Sequence, residues 1–486
     1  MDIAIIGSGV GGLSSAIRLV KKGHSVSVFE RNDTYGGKIG NLKLKDFSFD
    51  TGPSLLTMPH LIDELFIMHG EDPRNYFNYK KKNIHCEYFW DDGKTFSAYS
   101  DKNKYIDEAN SKLKVEKKLL NKYFLKSKKK YDLINKLFLY KPINKLSTFF
   151  NIGSFKAIFN LRLFQLFSSL NTVNKKATSN NYMTQVLNRY ATYNGSSPYL
   201  TSGIMSIIQH LENHYGTFVC NKGMRQIPES LYNLCKKIGV KFYFNKSVEK
   251  IYVENKIAKG VIIDNKLIEF DNIISNVDIN LTYKKLLNNL NYSCNEENMS
   301  SSAVIFFWGI NREFKDLDLH NILFSNNYKE EFKNIFEKND LYYDPTIYIN
   351  ITSKDIKGVS PKGSENWFVM INSPKDTGQD WDKMKKKLRK NIIKKIDKIL
   401  KTNIESHIVE EKVFTPMDIS VNTNSYLGSL YGESSNTIFS PIKRHQNYSK
   451  KIGNLYFCGG TVHPGGGIPL CIMSSKIVTD LIEKNS

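Results

Sequence analysis

The sequence predicts an α/β fold in which one nucleotide-binding domain is assembled from distant pieces of chain, with a mixed-sheet domain and a helical region inserted. Three observations carry that expectation. A βαβ unit opens the chain, strand–helix alternation returns over residues 216–278, and a strand, a Gly-rich turn and a helix follow from Leu455. A chain of 486 residues is long for a single core, so two or three domains are expected.

The first βαβ unit reads in order. Ile3 to Ile6 form a short buried strand, Leu13, Ile17, Leu19 and Val20 give a helical stripe, Gly23 ends the helix, and Val26 to Phe29 form the next strand. Between strand and helix lies Gly7-Ser8-Gly9-Val10-Gly11-Gly12. Gly7 permits the tight turn, Gly9 lets backbone approach a pyrophosphate, and Gly12 allows close helix packing. The helix N-terminus then faces the phosphates with its positive dipole end. Glu30, at the end of the second strand, stands where ribose hydroxyls are taken. The continuation through Arg31, Gly36, Gly37 and Lys38 resembles the extended fingerprint of FAD enzymes of the glutathione-reductase and amine-oxidase type, which a nicotinamide domain does not need. Next come Asp50, read as a turn cap, and Gly52, Pro53 and Ser54, where backbone can touch a flavin.

Further along, a helix is expected over Ile227 to Lys237 and strands over Val240 to Phe244, Val248 to Val253 and Gly260 to Ile263. Ala303 to Trp308 and Trp367 to Ile371 read as strands, and 381–401 as a basic helix with Met384, Leu388, Ile392 and Ile396 on one face. Leu455 to Pro469 give a strand and a second Gly-rich turn, through Gly459, Gly460, Thr461, His463, Gly467, Ile468 and Pro469, before a helix from about Leu470 to Glu483. Negative charge developing on a reduced flavin is favoured at such a helix N-terminus.

Taken with FDTGPSLLTMP near the start, GGTVHPGGGIPLC resembles the carotenoid desaturase family, related to the bacterial phytoene desaturases. Arg189 to Tyr193, Pro198-Tyr199, Gly223-Met224, Ser275 to Asp278, Ser300 to Ala303 with Trp308-Gly309, His320 to Ile322, and Tyr431-Gly432 with Arg444 agree, so the resemblance covers essentially the whole chain. Its closest pattern is that of the hydroxyneurosporene or 1-hydroxycarotenoid 3,4-desaturases. The resemblance implies a Rossmann-like FAD-binding domain from 1–75, 216–280 and 440–486. It also implies a mixed-sheet substrate domain from 76–100, 176–215 and 281–439, and a helical, membrane-facing subdomain over 101–175. The expected FAD contacts are Gly7, Ser8, Gly9, Gly11, Gly12, Glu30, Arg31, Gly36, Gly37, Lys38, Gly52, Pro53, Ser54, Val248, Gly459, Gly460, Gly467, Ile468 and Pro469.

The implied reaction removes two hydrogens from a carbon–carbon bond beside a polyene, one of them as hydride to the flavin. The remaining cation is delocalised and its neighbouring C–H acidic, so no strong base is required, and the sequence shows no Ser/His/Asp or Cys/His set. His463 is the titratable group expected near the flavin. It either relays a proton and shapes the tunnel or only bonds the turn backbone, and the latter is preferred because the chemistry does not demand it. Arg189 either anchors a polar end group or cation or makes an ordinary salt bridge, and the salt bridge is the simpler reading. Oxygen or a membrane quinone would take the electrons.

Composition sets the surroundings. The net charge of +21 favours an anionic surface, and no nucleic-acid motif accompanies it, which points to a membrane rather than nucleic acid. Six cysteines without C-x-x-C spacing fit reduced thiols in a cytoplasmic protein without a metal site. The first residues read as a strand rather than a signal peptide, and no apolar run is long enough to span a bilayer. Membrane contact is therefore expected to be peripheral. Over 101–175, dense lysines from Lys112 to Lys130 alternate with Leu119, Leu120, Phe124, Leu133, Leu137 and Phe138. Phe149, Phe150, Phe155, Phe159, Phe164 and Phe167 follow. Such helices lie in an interface or pack on their own core. A phytoene desaturase or carotenoid isomerase of the same family is the nearest enzymatic alternative. A non-enzymatic isoprenoid carrier, like the Rab GDP-dissociation inhibitors of this superfold, is the alternative of another class.

Overall fold

The computed structural model describes residues 1–134, 161–288, 294–437, 440 and 444–485. Strand β1 (Asp2–Ile6), helix α1 (Val10–Lys21) and strand β2 (Ser25–Phe29) form the expected βαβ unit. They belong to a five-stranded, fully parallel sheet ordered Leu455–Phe457, Asn272–Ser275, β1, β2, Lys241–Tyr243. The period-2 alternation of β1 decides what covers each face. Ile3 and Ile5 pack with Leu13 and Ile17 of α1, Leu231 of the Gln226–Lys237 helix, and Ile472 and Val478 of the Ile468–Asn485 helix. Ala4 and Ile6 pack the other way, against Ile251, Val261 and Ile263 of a three-stranded antiparallel sheet formed by Lys250–Glu254, Ile257–Ile263 and Lys266–Glu269.

A second sheet of seven strands runs Ile408–Phe414, Ser302–Ile310, Glu365–Ser373, Ile347–Ile351, His320–Leu323, Ile84–Phe89, Thr95–Tyr99. All its pairs are antiparallel except His320–Leu323 with Ile84–Phe89, which is parallel. Every residue of Ser302–Ile310 is buried, as a strand covered on both faces must be. Val304, Phe306, Trp308 and Ile310 meet Leu388, Ile392 and Ile396 of the Trp381–Leu400 helix. Burying each of those three helix side chains stabilises by roughly 1.5–3 kcal/mol. Ala303, Ile305 and Phe307 point the opposite way, toward Phe49, Phe368 and Ile419.

In the helical region, the Lys117–Ile134 helix turns its apolar stripe inward. Leu120 and Phe124, on the Lys117–Ile134 helix, are buried with Tyr105, Ile106, Tyr88, Phe96 and Met183, so the apolar stripe packs on the protein's own sheet. Lys130 is buried as well; its Nζ donates to Gln165 Oε1 at 2.8 Å and Ser206 Oγ at 2.8 Å, and burial pushes its pKa down to about 8. Phe164 is buried, whereas Phe167 is 86% exposed. Leu137, Phe138, Phe149, Phe150, Phe155 and Phe159 lie outside the described residues. Among the described residues no helix is long and apolar enough to cross a membrane.

Candidate active site

The two sheets enclose a cavity of about 1670 Å³. That exceeds the roughly 300–1,000 Å³ of pockets that hold one drug-sized ligand, so there is room for a cofactor and a second large molecule. One end lies beyond the C-terminal edge of β1 and β2, where ligands bind in parallel α/β sheets. The turn after β1 is a cradle. Gly7 N donates to Phe29 O at 2.8 Å, and Gly9 caps α1 without any side-chain hydrogen bond, so the first-turn amides are left for a ligand. A Cβ on Gly12 would lie 2.2 Å from Gly7 O, so only glycine lets α1 sit this close to the turn. Gly37 has φ +60° and a Cβ there would lie 3.1 Å from Gly9 Cα, so the two Gly turns stand back to back.

Glu30 lines this end and is nearly buried. Its Oε2 accepts from Ser8 N at 2.9 Å and Ser8 Oγ at 2.8 Å, and Oε1 from Asn32 N at 3.0 Å. Gly7, Gly9, Gly11, Arg31, Gly36, Gly37, Lys38, Gly52, Pro53, Ser54 and Val248 share the wall; Ser8 and Gly12 sit behind it. Arg31 donates to Val421 O at 2.7 Å and Lys38 to Leu430 O at 2.7 Å, so both also tie the cradle to residues 421–430. Asp50 is not a local turn cap: its carboxylate accepts from Met224 N at 2.9 Å and Arg225 N at 3.3 Å, joining the front of the chain to the start of the Gln226–Lys237 helix.

The Leu455–Phe457 strand brings the second Gly-rich turn against the first. Gly459, Gly460, His463, Gly467, Ile468 and Pro469 all line the cavity. Two residues quoted only for their resemblance organise this junction. Asn276 Nδ2 donates to Gly7 O at 3.3 Å, and its Oδ1 accepts from Cys458 Sγ at 3.5 Å. Arg444 is buried and donates to Tyr431 O at 3.1 Å, Gly460 O at 3.2 Å and Glu433 O at 2.9 Å. His463 is held through its backbone, N donating to His445 O at 2.9 Å and O accepting from Asn447 Nδ2 at 2.8 Å, while its ring is buried. Burial pushes the Cys458 thiol up to about 12 and Cys471 up to about 11, so neither is a thiolate nucleophile at neutral pH.

The other limb of the cavity is apolar, walled by Phe164, Leu166, Phe167, Ile204, Met205, Ile208, Leu211, Ile305, Ile322, Phe368 and Met370. One polar island interrupts it. Arg189 Nη2 forks onto Glu212 at 2.9 and 3.1 Å, Nη1 donates to Tyr193 OH at 2.6 Å, and Nε donates to Tyr88 OH. Tyr190 and Tyr193 each donate to Glu212 at 2.6 Å. The simpler reading of Arg189 as an ion-pair partner is what the geometry shows. Burial alone would raise the Glu212 carboxyl, but Arg189, with His85 and the two tyrosine hydroxyls, outweighs it and holds the pKa at about 2. The folded value lies below the ordinary 4.5, so this carboxylate adds stability that is complete above that pH and is lost as pH falls from about 4.5 toward about 2. Acid unfolding followed by tryptophan fluorescence should show an acid limb in that window that Glu212→Gln flattens.

Glycines that a Cβ would fill, uncapped first-turn amides and a second helix start behind a Gly turn fit the diphosphate and ring system of a flavin dinucleotide. Among the described residues no cluster of His, Cys, Asp or Glu could hold a metal ion. A dinucleotide cradle opening straight into a long apolar limb defines a flavin-dependent oxidoreductase. The family model described as flavin containing amine oxidoreductase matches residues 10–482, and the chain belongs to that family. It is 48% identical over 484 residues to the 1-hydroxycarotenoid 3,4-desaturase of Flavobacterium sp. (strain P99-3), covering 99% of each chain. It is 30% identical over 492 residues to the 4,4'-diaponeurosporene oxygenase of Staphylococcus aureus (strain MRSA252), covering 99% of this chain and 98% of that one. Among solved structures, an oxidoreductase from Methanosarcina mazei matches with a TM-score of 0.64 and 16% identity, covering 99% of this chain and 100% of the other, which speaks for the fold.

Proposed function

We propose that this protein is an FAD-dependent carotenoid desaturase that introduces a carbon–carbon double bond into an acyclic, 1-hydroxylated carotenoid. The observation that carries the reading is the continuity of the cradle with the apolar limb, in a chain 48% identical to a desaturase of that substrate class. FAD contacts are assigned to the residues expected from sequence, with Ser8 and Gly12 acting from behind the wall and Asn276 and Arg444 added to the junction. When bound, FAD supplies the hydride acceptor, with oxygen or a membrane quinone as the final electron sink. The protein's own part is to hold the polyene extended, align one C–H bond and exclude water, which the ring-lined limb suits. The carrier alternative lacks an explanation for an intact dinucleotide cradle. An amine substrate is disfavoured because both Glu212 oxygens are already taken by Arg189, Tyr190 and Tyr193.

His463 is assigned a positioning role. His463→Ala is expected to keep the rate within about tenfold of wild type, because general acid–base catalysis is worth about 10²–10⁴-fold. A loss beyond a hundredfold in single-turnover rate, with flavin content unchanged, would make it a proton relay.

We further infer that the enzyme is cytoplasmic and docks peripherally on a membrane through the cavity mouth at Phe167, which is both highly exposed and part of the cavity wall. A net charge of +21 favours anionic lipid. Phe167→Glu is expected to lower binding to vesicles of anionic lipid severalfold in a flotation assay, and equal flotation of the variant would refute the docking face. The activity itself is tested by anaerobic mixing of the yellow holoenzyme with a 1-hydroxylated acyclic carotenoid: the flavin absorbance should bleach in one turnover. A protein that takes up no FAD, or whose flavin stays oxidised, rules the reading out.

A further inference from the structure

The polar island contains two groups that the ion pair does not use. His85 and His320 both line the cavity, and both are buried. Their Nε2 atoms have no hydrogen-bond partner among the described residues. A buried ring nitrogen left bare costs free energy, and a ligand group that completes it recovers that cost. The two histidines come from neighbouring strands of the seven-stranded sheet. His320 begins the strand whose Asn321 pairs with Glu87, two residues after His85. In the pairing with Thr95–Tyr99, Ile84 stands opposite Tyr99 and Cys86 opposite Ala98, so His85 is the extra residue of a bulge, and both His85 and Cys86 reach the cavity.

His320 is held from behind through Nδ1, which leaves Nε2 as the ring nitrogen without a partner among the described residues. Asn350 Nδ2, oriented by Leu319 O at 2.9 Å, stands 3.2 Å from His320 Nδ1. Tyr348 OH also meets Nδ1, at 2.8 Å, and Tyr348 in turn meets Ser54 Oγ at 2.7 Å. His85 Nδ1 pairs with Thr217 Oγ1 at 2.9 Å. The island holds no spare charge, because Arg189 and Glu212 neutralise each other. Burial pushes His320 down to about 4 and lowers His85 as well, so both rings are neutral at physiological pH. Such a site suits a neutral hydroxyl and rejects an ammonium or a carboxylate.

Resting on the desaturase reading above, we propose that His85 and His320 form the subsite that binds the hydroxyl of the carotenoid end group and so select hydroxylated over non-hydroxylated acyclic carotenoids. Placement supports it. In a 1-hydroxylated substrate desaturated at the 3,4 bond, the hydroxyl-bearing carbon is only two bonds from a reacting carbon. The subsite must therefore adjoin the reaction centre, not the far end of the limb. His320 meets that requirement: Tyr348 and Ser54 link it to the Gly52–Ser54 segment assigned to the flavin. A site built to hydrogen-bond a hydroxyl discriminates strongly against the analogue without it, because the polar groups are then buried unpaired.

The test measures binding to the dithionite-reduced holoenzyme, which cannot turn over, from the shift of the polyene absorption band. The probes are a 1-hydroxylated acyclic carotenoid and its counterpart lacking only the hydroxyl. Wild type is expected to bind the hydroxylated probe at least tenfold more tightly. His320→Leu and His85→Leu should each bring the two Kd values within about threefold, by weakening the hydroxylated probe alone, and His320→Asn should restore part of the preference. Flavin content and Tm, measured on each variant, show that the fold is kept. Equal wild-type affinity for the two probes, or a preference that survives both leucine variants, or an equal loss for both probes, overturns the subsite while leaving the desaturase reading intact. Binding of neither probe to wild type overturns both.

Discussion

Gly12→Ala is expected to give a protein that no longer retains flavin. The added Cβ would lie 2.2 Å from Gly7 O, a backbone atom of the same cradle, so either α1 or the turn must move by about an ångström. Both hold the diphosphate site in place, and the turn is braced from three sides: Ser8 by Glu30, Gly7 by Asn276 and Phe29, and Gly9 by Gly37. The atom it would strike is backbone and not the far end of a flexible side chain, so the strain has no inexpensive outlet. The ratio of flavin to protein absorbance in purified material should fall at least tenfold, and Tm should fall with it because a ligand bound only by the folded state stabilises it. Gly23→Ala is the control: nothing lies within 4 Å of the added Cβ, and the cost there is confined to its positive φ of +85°. A Gly12→Ala protein as yellow as wild type would mean that the first Gly turn does not hold the cofactor.

The second large effect is expected at Arg189. Its side chain is 8% exposed and that of Glu212 only 1%, so Arg189→Met strands a carboxylate in an apolar wall and takes the Arg189 donors from the Tyr88 and Tyr193 hydroxyls. Removing one member of a buried pair costs about 3–5 kcal/mol. Arg189→Met should therefore shift the urea midpoint strongly at pH 7. The double variant Arg189→Met/Glu212→Gln should cost less than the sum of the singles, since the uncompensated charge is gone. Strict additivity in that cycle would show that the pair is not coupled as the geometry implies. The loss should shrink as pH falls toward and then below about 2, where Glu212 becomes protonated in the wild type as well.

Local chemistry explains what could be read before the structure. The alternation in Ile3 to Ile6, the glycine spacing after it and Glu30 at the end of β2 are short-range signals, and each sits where it was expected. So do the strands within Ser302–Ile310 and Glu365–Ser373 and the buried face of Trp381–Leu400. Long-range pairings left no such trace. Nothing near Asp50 points to Met224, and nothing near Asn276 announces that its side chain clamps a turn 269 residues away. The basic and apolar pattern at Lys117–Ile134 was ambiguous for a physical reason: a stripe that packs on a sheet and one that lies on a membrane share the same period. The polar island was hidden because its members come from the Ile84–Phe89 strand, the Arg189 turn, the Ser206–Tyr215 helix and the His320 strand. The bulge at His85 depends on pairing with Thr95–Tyr99, which no local spacing encodes.

The central claim is that the dinucleotide cradle and the apolar limb together desaturate a hydroxylated acyclic carotenoid. The most direct test is to incubate FAD-loaded protein with a 1-hydroxylated acyclic carotenoid in liposomes and to follow the product by absorption and mass. The account predicts a red-shifted polyene spectrum and a product lighter by two hydrogens, formed only with flavin-containing protein. An unchanged carotenoid, or a product that has gained oxygen without a new double bond, would contradict it.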